Sequence, residues 1–248
     1  MSTFRKRNPG RTGDWEAAGL AWLGEAAETG GVPVAEVVDR DSDDLLLRRV
    51  SPAPATRDAA EQFGRRLAVT HAAGAPAFGS GPGTWEGAGY QGPNDHLLEL
   101  PLSEHASWGS FYAEVVIAPL DAHAGGIPGT DALLDRLCSG DFDDDRPPAR
   151  LHGDLWSGNV LWSPDGATLI DPSAHGGHAL TDLGFLTMFG APHLETVLDA
   201  YAEAAELPDG WRELLPLHRL QVLYLHAAVF GGDYVGETRR TVARVLTL

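Results

Sequence analysis

The sequence predicts an α+β fold in two lobes: residues 1–52 as a small lobe of a short antiparallel sheet plus one helix, and residues 53–248 as a larger, mainly helical lobe. Three observations carry that expectation. Strand-like residues are confined to short runs, two of them within residues 32–50 and two more around a turn at 163–166. Most of the chain beyond residue 55 repeats its apolar residues at helical spacing. Between the two regions, Pro52 and Pro54 interrupt regular structure.

At 248 residues and 43% hydrophobic, the chain is long enough to bury a substantial core. Its formal net charge of -17 opposes binding to nucleic acid or to an anionic membrane surface. The single Cys138 excludes an internal disulfide and fits a reducing, cytoplasmic setting. Because it sits among Leu133, Leu134 and Leu137, it is expected to be a buried structural thiol. No run approaches the length of a membrane span, and the basic residues 1–10 lack the apolar stretch of a signal peptide.

Taken in chain order, the breaker Asn8, Pro9, Gly10 precedes Asp14, a candidate N-cap for a helix over 15–28 with Trp15, Gly19, Trp22, Leu23 and Ala26 on one face. Residues 32–39 and 45–50 read as two strands about the polar turn 40–44. Thr56 is expected to cap a helix reaching residue 73, with Ala59, Phe63, Leu67 and Thr70 or His71 inward, His71 as a satisfied core histidine. The stretch 78–100 is rich in glycine and lacks periodicity. Ser103 is expected to cap a helix carrying Trp108, Phe111, Tyr112, Val115, Val116 and Leu120, and a short helix covers 130–137. Residues 141–148, with Asp143, Asp144 and Asp145, read as a solvated acidic loop rather than a metal cluster. Helices follow over 193–206 and 211–230, the second apolar nearly all round and so expected at the centre of the larger lobe. A last helix places Arg239, Arg240 and Arg244 on a polar face.

The chemistry concentrates in LHGDLWSGNVLWSPDGATLID, residues 151–171. Apolar runs at 159–162 and 167–170 flank Ser163, Pro164, Asp165 and Gly166, the pattern of a hairpin. Asp154 then falls in the preceding loop, Asn159 where the first strand begins, and Asp171 where the second stops. Two carboxylates and a carboxamide oxygen suit Mg²⁺, which takes oxygen ligands and keeps positions for water and phosphate. Asp, then Asn five residues on, then Asp after a hairpin is the spacing of a kinase catalytic loop and its metal-binding Asp. In that scheme Asp154 takes the proton of an attacking hydroxyl, while Asn159 and Asp171 hold the metal against nucleotide phosphates. A polar turn explains any one of the three but not all three in this order. A zinc reading of His175 and His178 lacks a Cys partner, and a metallophosphoesterase reading of His152 and Asp154 lacks further ligands at suitable spacing.

HGDLWSGN at 152–159, IDPSAHGGH at 170–178, TDLGFLTMFG at 181–190 and FGGDY at 230–234 resemble the fructosamine kinase (ketosamine 3-kinase) family, a branch of the aminoglycoside and choline kinase group with a protein-kinase-like fold. The likeness runs, with gaps, from about Phe4 to about Tyr234, and Trp156 beside Asp154 separates the family from its aminoglycoside-directed cousins. It implies ATP with Mg²⁺ and transfer to the C3 hydroxyl of a ketosamine, free or on a protein lysine, in protein deglycation. It further implies that Lys6 touches the nucleotide phosphates with Glu16, in EAAGL at 16–20, as its partner, and that Arg49 and Val50 lie at a hinge offering backbone groups to adenine. His152, Trp156 and His178 would then lie on or behind the acceptor side, and Asp182 would brace the catalytic loop. Phe78, Gly79, Gly87, Gln91 and Asn94 match a family loop that would line the acceptor pocket.

The chain also departs from that pattern. Val115, Val116 and Ile117 stand where the family has an Arg, and Ala179 and Leu180 follow His178 in place of Arg and Glu. It opens at the lysine strand, where kinase-like folds place two strands and a glycine-rich loop first. Either a start upstream of Met1 supplies them, or the small lobe is truncated, without a phosphate lid and with an open strand edge. The alternatives to a ketosamine kinase are a kinase of another alcohol, aminoglycoside- or choline-like, and a pseudokinase that binds without transfer. The expected partner is a free or protein-bound ketosamine, with no nucleic acid and no membrane, in a monomer or weak dimer.

Overall fold

Leu45 and Leu47 are buried while their neighbours are partly exposed, and this period of two makes β3 (Asp44–Arg48) the middle strand of the first sheet. The computed structural model describes residues 2–93 and 95–248; the expectations at Met1 and Asn94 lie outside them. β1 (Thr3–Arg7) and β2 (Val37–Arg40) flank β3 antiparallel in the order β1-β3-β2, with Lys6 opposite Leu45. Residues 32–36 do not extend β2 as their apolar run suggests. Pro33 has no N–H for a ladder; its carbonyl accepts from Leu169 N at 2.8 Å, and Ala35 N donates to Leu169 O at 2.9 Å, joining this stretch to the later hairpin. The turn between β2 and β3 is closed by Asp41 Oδ1, which accepts from the N–H groups of Asp43 and Asp44 at 2.9 Å.

α1 (Gly10–Ala27) starts at Gly10, earlier than the breaker suggests, because Pro9 takes the extended position before the first turn and Asn8 Oδ1 accepts from Thr12 Oγ1 at 2.7 Å. Asp14 is therefore not a cap; it lies within the helix, 2.8 Å from Arg40. The face of Trp15, Gly19, Trp22, Leu23 and Ala26 is buried as expected. α2 (Arg57–Ala72) is capped by Thr56, whose hydroxyl accepts from Ala59 N at 3.1 Å.

The glycine-rich stretch contains a small hairpin, β4 (Gly89–Gln91) with β5 (Leu98–Leu100). Ser107, not Ser103, caps the helix that follows: α3 (Trp108–Phe111) continues through a wide π-helical turn, Tyr112–Ile117, into α4 (Ala118–His123). Ser103 lies in an extended segment held by His105 N, which donates to Phe78 O at 2.9 Å. In α5 (Thr130–Cys138), Leu133 and Leu137 face the core, and Cys138, one residue further round, is exposed rather than buried. The acidic loop is tied down in two places: Asp143 accepts from Gly109 N at 2.7 Å, and Asp144 lies 3.3 Å from His178 Nε2.

β6 (Ala149–Leu151) pairs antiparallel with β9 (His175–Gly177). Between them lies the expected hairpin of β7 (Val160–Ser163) and β8 (Gly166–Leu169), in register from Val160 opposite Leu169 to Ser163 opposite Gly166. α6 (Leu180–Phe189) and α7 (Leu194–Ala204) follow. The apolar stretch 211–230 is not one helix but a 3₁₀ turn, Trp211–Leu214, then α8 (Leu215–His218) and α9 (Leu220–Phe230). Pro216 lacks the N–H for a continuous ladder, and Gly184 of α6 packs so closely on the break that a Cβ there would come within 2.9 Å of the His218 backbone. α10 (Asp233–Val245) ends the fold.

One core gathers the π-helical turn, α5, α9 and α10; the other gathers α2, α6, α7 and the β7–β8 hairpin. Among the described residues, no helix is long and apolar enough to cross a membrane.

Candidate active site

β6 delivers the chain into a loop whose backbone is held by one buried carboxylate. Asp182, on the first turn of α6, accepts from His152 N at 2.8 Å and from Gly153 N at 2.9 Å. His71 Nε2 lies 3.0 Å from the same carboxylate, and His71 Nδ1 lies 2.8 Å from Tyr201 Oη. Burial alone would raise the Asp182 carboxyl, but the hydrogen bonds from His71 and the His152 backbone outweigh it and hold the group below the usual carboxylate range. The His152 ring is fully buried, which lowers its pKa and keeps it neutral. Its partners set the tautomer: Nε2 donates to Ile170 O at 2.9 Å, and Nδ1 accepts from Asp154 N at 3.3 Å.

Gly153 adopts φ +78, and a Cβ there would overlap the Ser173 carbonyl. Gly153→Ala is expected to destabilise the protein by about 2–4 kcal/mol, adding the left-handed backbone cost to overpacking. A urea unfolding midpoint measures this; an unchanged midpoint contradicts it.

Beyond the loop, Asn159 Nδ2 donates to Asp154 O at 2.8 Å and to Asp154 Oδ2 at 3.0 Å. Burial raises the Asp154 carboxyl to about 7 against the lowering effect of the Asn159 bond, with the charges of Asp171 and Asp182 raising it further. Asp171 follows β8 at φ +54, a left-handed conformation for a residue with a side chain. Its Oδ1 lies 2.9 Å from Lys6 Nζ, which also donates to Glu16 Oε2 at 2.7 Å. Burial lowers the Lys6 pKa, but Glu16 and Asp171 together hold the ammonium above its usual value.

Two cavities meet at this ion pair. One, of about 390 Å³, is lined by Phe4, Leu47, Arg49, Val50, Leu161 and Ile170 together with Lys6 and Asp171. The other, of about 410 Å³, contains Lys6, Asp171, Asp154 and Asn159 and is walled by Trp156, Gln91 and α9.

The donor set fits Mg²⁺. Asn159 spends its N–H groups on Asp154 and, at 3.5 Å, on the Asp171 carbonyl, which turns its carboxamide oxygen elsewhere, and Asp171 Oδ2 has no partner among the described residues. Two hard oxygen donors beside open volume suit an ion that brings water and phosphate as its other ligands. No cluster of three His, Cys, Asp or Glu able to hold a metal by itself occurs among the described residues, including His175 and His178.

The fructosamine kinase profile matches residues 11–248. The chain belongs to the fructosamine kinase family. A probable ketoamine kinase of Thermus thermophilus is 30% identical over 233 residues, covering 92% of this chain and 80% of that protein. The crystal structure of a candidate fructosamine-3-kinase from Thermobifida fusca superposes with a TM-score of 0.87 at 40% identity, covering 99% of this chain and 86% of that one. An aminoglycoside phosphotransferase superposes with a TM-score of 0.58 at 16% identity, covering 99% of this chain and 86% of that one, a likeness of fold alone. As a family member the chain is a kinase, a phosphotransferase with an alcohol group as acceptor, on an α+β, protein-kinase-like fold.

Of the residues singled out in the sequence, Lys6, Glu16, Gln91, Asp154, Trp156, Asn159 and Asp171 line the larger cavity, Arg49 and Val50 line the smaller, and Phe78, Gly79 and Gly87 line neither. His152 and Asp182 lie behind the loop. His178 lines neither cavity; its ring stacks on His218 with centroids 4.4 Å apart. Val115, Val116 and Ile117 are buried in the core and also line neither cavity. Sequence reasoning missed Asn8, which donates to Glu16 Oε2 at 2.6 Å, because its place in an Asn-Pro-Gly triplet signals only a chain break. It also missed Phe189 and His226, cavity-lining residues on α6 and α9, since helical periodicity assigns such residues to packing.

Proposed function

We propose that the chain is an ATP-dependent ketosamine kinase that phosphorylates a sugar hydroxyl of fructosamine- or ribulosamine-type adducts, free or on protein lysines. The observation that supports it best is the junction of the two cavities at Lys6 and Asp171, with Asp154 and Asn159 beside it. In this reading residues 1–52 form the nucleotide-binding lobe and residues 53–248 the lobe carrying the catalytic loop and acceptor site. The nucleotide base occupies the smaller, mainly apolar cavity against Phe4, Leu47, Leu161 and Ile170, with the backbone of Arg49 and Val50 at its edge.

Lys6, oriented by Glu16, binds the nucleotide phosphates. Mg²⁺ would be held by Asn159 and Asp171 and, when bound, supplies charge neutralisation to those phosphates. Asp154 holds the acceptor hydroxyl in the larger cavity and takes its proton as the hydroxyl oxygen meets the transferred phosphoryl group. Asn159 fixes the Asp154 rotamer for that task, and Asp182 fixes the loop. Most of the catalytic effect is positioning and electrostatic stabilisation. Phosphorylation labilises the ketosamine, so the role is cytoplasmic protein deglycation, performed by a monomer or weak dimer.

The test is incubation with Mg·ATP and a glycated or ribosylated lysine peptide, with the phosphorylated product identified by mass spectrometry. Acceptor-dependent transfer is the expected result. Transfer only to an aminoglycoside or choline would replace the substrate assignment, and failure to bind Mg·ATP would make the protein a pseudokinase.

A further inference from the structure

We propose that Gln91 reads the acceptor, hydrogen bonding one ketosamine hydroxyl other than the one phosphorylated; the inference rests on the ketosamine reading above. Gln91 ends β4 and is 4% exposed, yet its Oε1 has no hydrogen-bond partner among the described residues. It lines the same cavity as Asp154, Asn159 and Trp156. Buried carboxamides are normally satisfied, because leaving one unpaired forfeits its hydration without replacement. An unsatisfied one on a residue that lines a substrate cavity is a group awaiting a partner.

The strand that presents it has little freedom to rearrange and find another. The carbonyl of the preceding residue, Tyr90, accepts from Trp15 Nε1 at 3.0 Å and from Ser173 Oγ at 2.7 Å. β4 is thereby held both to α1, which carries Glu16, and to the segment two residues past Asp171. At Gly89 the strand lies so close to the Trp15 indole that a Cβ would come within 2.7 Å of it. Gln91 thus has a fixed position relative to the groups that flank the reacting hydroxyl.

A hydroxyl is the partner that suits it. The carboxamide offers an acceptor oxygen and a donor nitrogen, and a hydroxyl both donates and accepts, so it satisfies either end of the amide. An ammonium only donates, and the carboxylates of Asp154, Asp171 and Glu16 in the same cavity serve it better. A pocket that hydrogen bonds a substrate hydroxyl rejects the analogue lacking it, because its own polar group is then left unpaired.

The experiment compares the parent ketosamine with a series of analogues, each lacking one non-reacting hydroxyl, using the wild type and Gln91→Met, which keeps side-chain length. In the wild type, one deoxy analogue is expected to lose about 10–100-fold in kcat/KM, the size of one hydrogen bond. In Gln91→Met the parent acceptor should fall to that level, the ratio of parent to that analogue should fall to about one, and KM for ATP should not move. A merely structural glutamine would change both acceptors equally. Equal treatment of all deoxy analogues by the wild type, or unchanged discrimination in Gln91→Met, overturns the inference. The wild-type series decides this even if the variant fails to fold. Absence of turnover on the parent ketosamine marks failure of the underlying reading, and the inference falls with it.

Discussion

Asp154→Asn is expected to lower kcat for phosphoryl transfer by about 10²–10⁴-fold, the range for a positioned proton acceptor, while the dissociation constant for Mg·ATP stays within a few-fold. The substitution isolates the proton because of how the loop is built. Asp154 Oδ2 accepts from Asn159 Nδ2, and the oxygen of an asparagine carboxamide takes that place without moving the loop. The residue's backbone carbonyl accepts from Asn159 and its N–H donates to His152, and both bonds survive. What is lost is the second carboxylate oxygen, which faces the cavity without a partner among the described residues. Single-turnover transfer and calorimetric nucleotide binding together measure the two halves. Transfer at the wild-type rate would remove Asp154 as the base, and joint loss of transfer and binding would make it a structural residue.

Asp154, Asn159 and Asp171 are legible in the sequence because their arrangement is local: a loop, a strand, a tight turn and a second strand fix the order, and the observed register from Val160 opposite Leu169 to Ser163 opposite Gly166 follows from Gly166 and the apolar runs. The ion pair of Lys6 with Glu16 is also short in sequence, yet composition and spacing leave it indistinguishable from a solvated Lys and a helix-dipole Glu. Only the family resemblance singles it out, and the 2.7 Å contact depends on α1 beginning at Gly10, five residues before the expected start.

Most of the misread elements share a cause. Residues 32–36, the cap at Ser107 and the break at Arg219 each involve a neighbour distant in the chain, Leu169, Phe78 and Gly184, whereas the exposure of Cys138 is local, one residue round the helix from the buried Leu133–Leu137 face. Gln91 is legible as a position, since the family resemblance puts it on a loop of the acceptor pocket and it lines the larger cavity, but its lack of a partner is a property that no pattern in a single sequence can display.

Asp182→Asn is the substitution expected to cost most in stability, about 3–5 kcal/mol, or a fall in Tm on the order of 10 °C for a chain of this length. Three donors converge on two oxygens: Gly153 N on Oδ1, and His152 N with His71 Nε2 on Oδ2. A carboxamide supplies one acceptor oxygen. If it faces Gly153, its amino group meets His152 N; if it faces His152, the amino group meets Gly153 N. Either way a buried backbone N–H is stranded against another donor, in a residue with no solvent exposure. The pH dependence separates this account from simple loss of packing. The native carboxyl is held below its usual range, so in the unfolded chain, where it titrates near about 3.9, it binds its proton first as pH falls. Its contribution is therefore complete above that value and drains away as pH drops through the lower folded value. Asparagine does not titrate, so the stability gap between wild type and variant should be full at neutral pH and narrow below about 4. Denaturant titrations at both pH values measure it, and a gap that stays constant would mean that Asp182 fills space rather than holding the loop at His152 and Gly153 by charge.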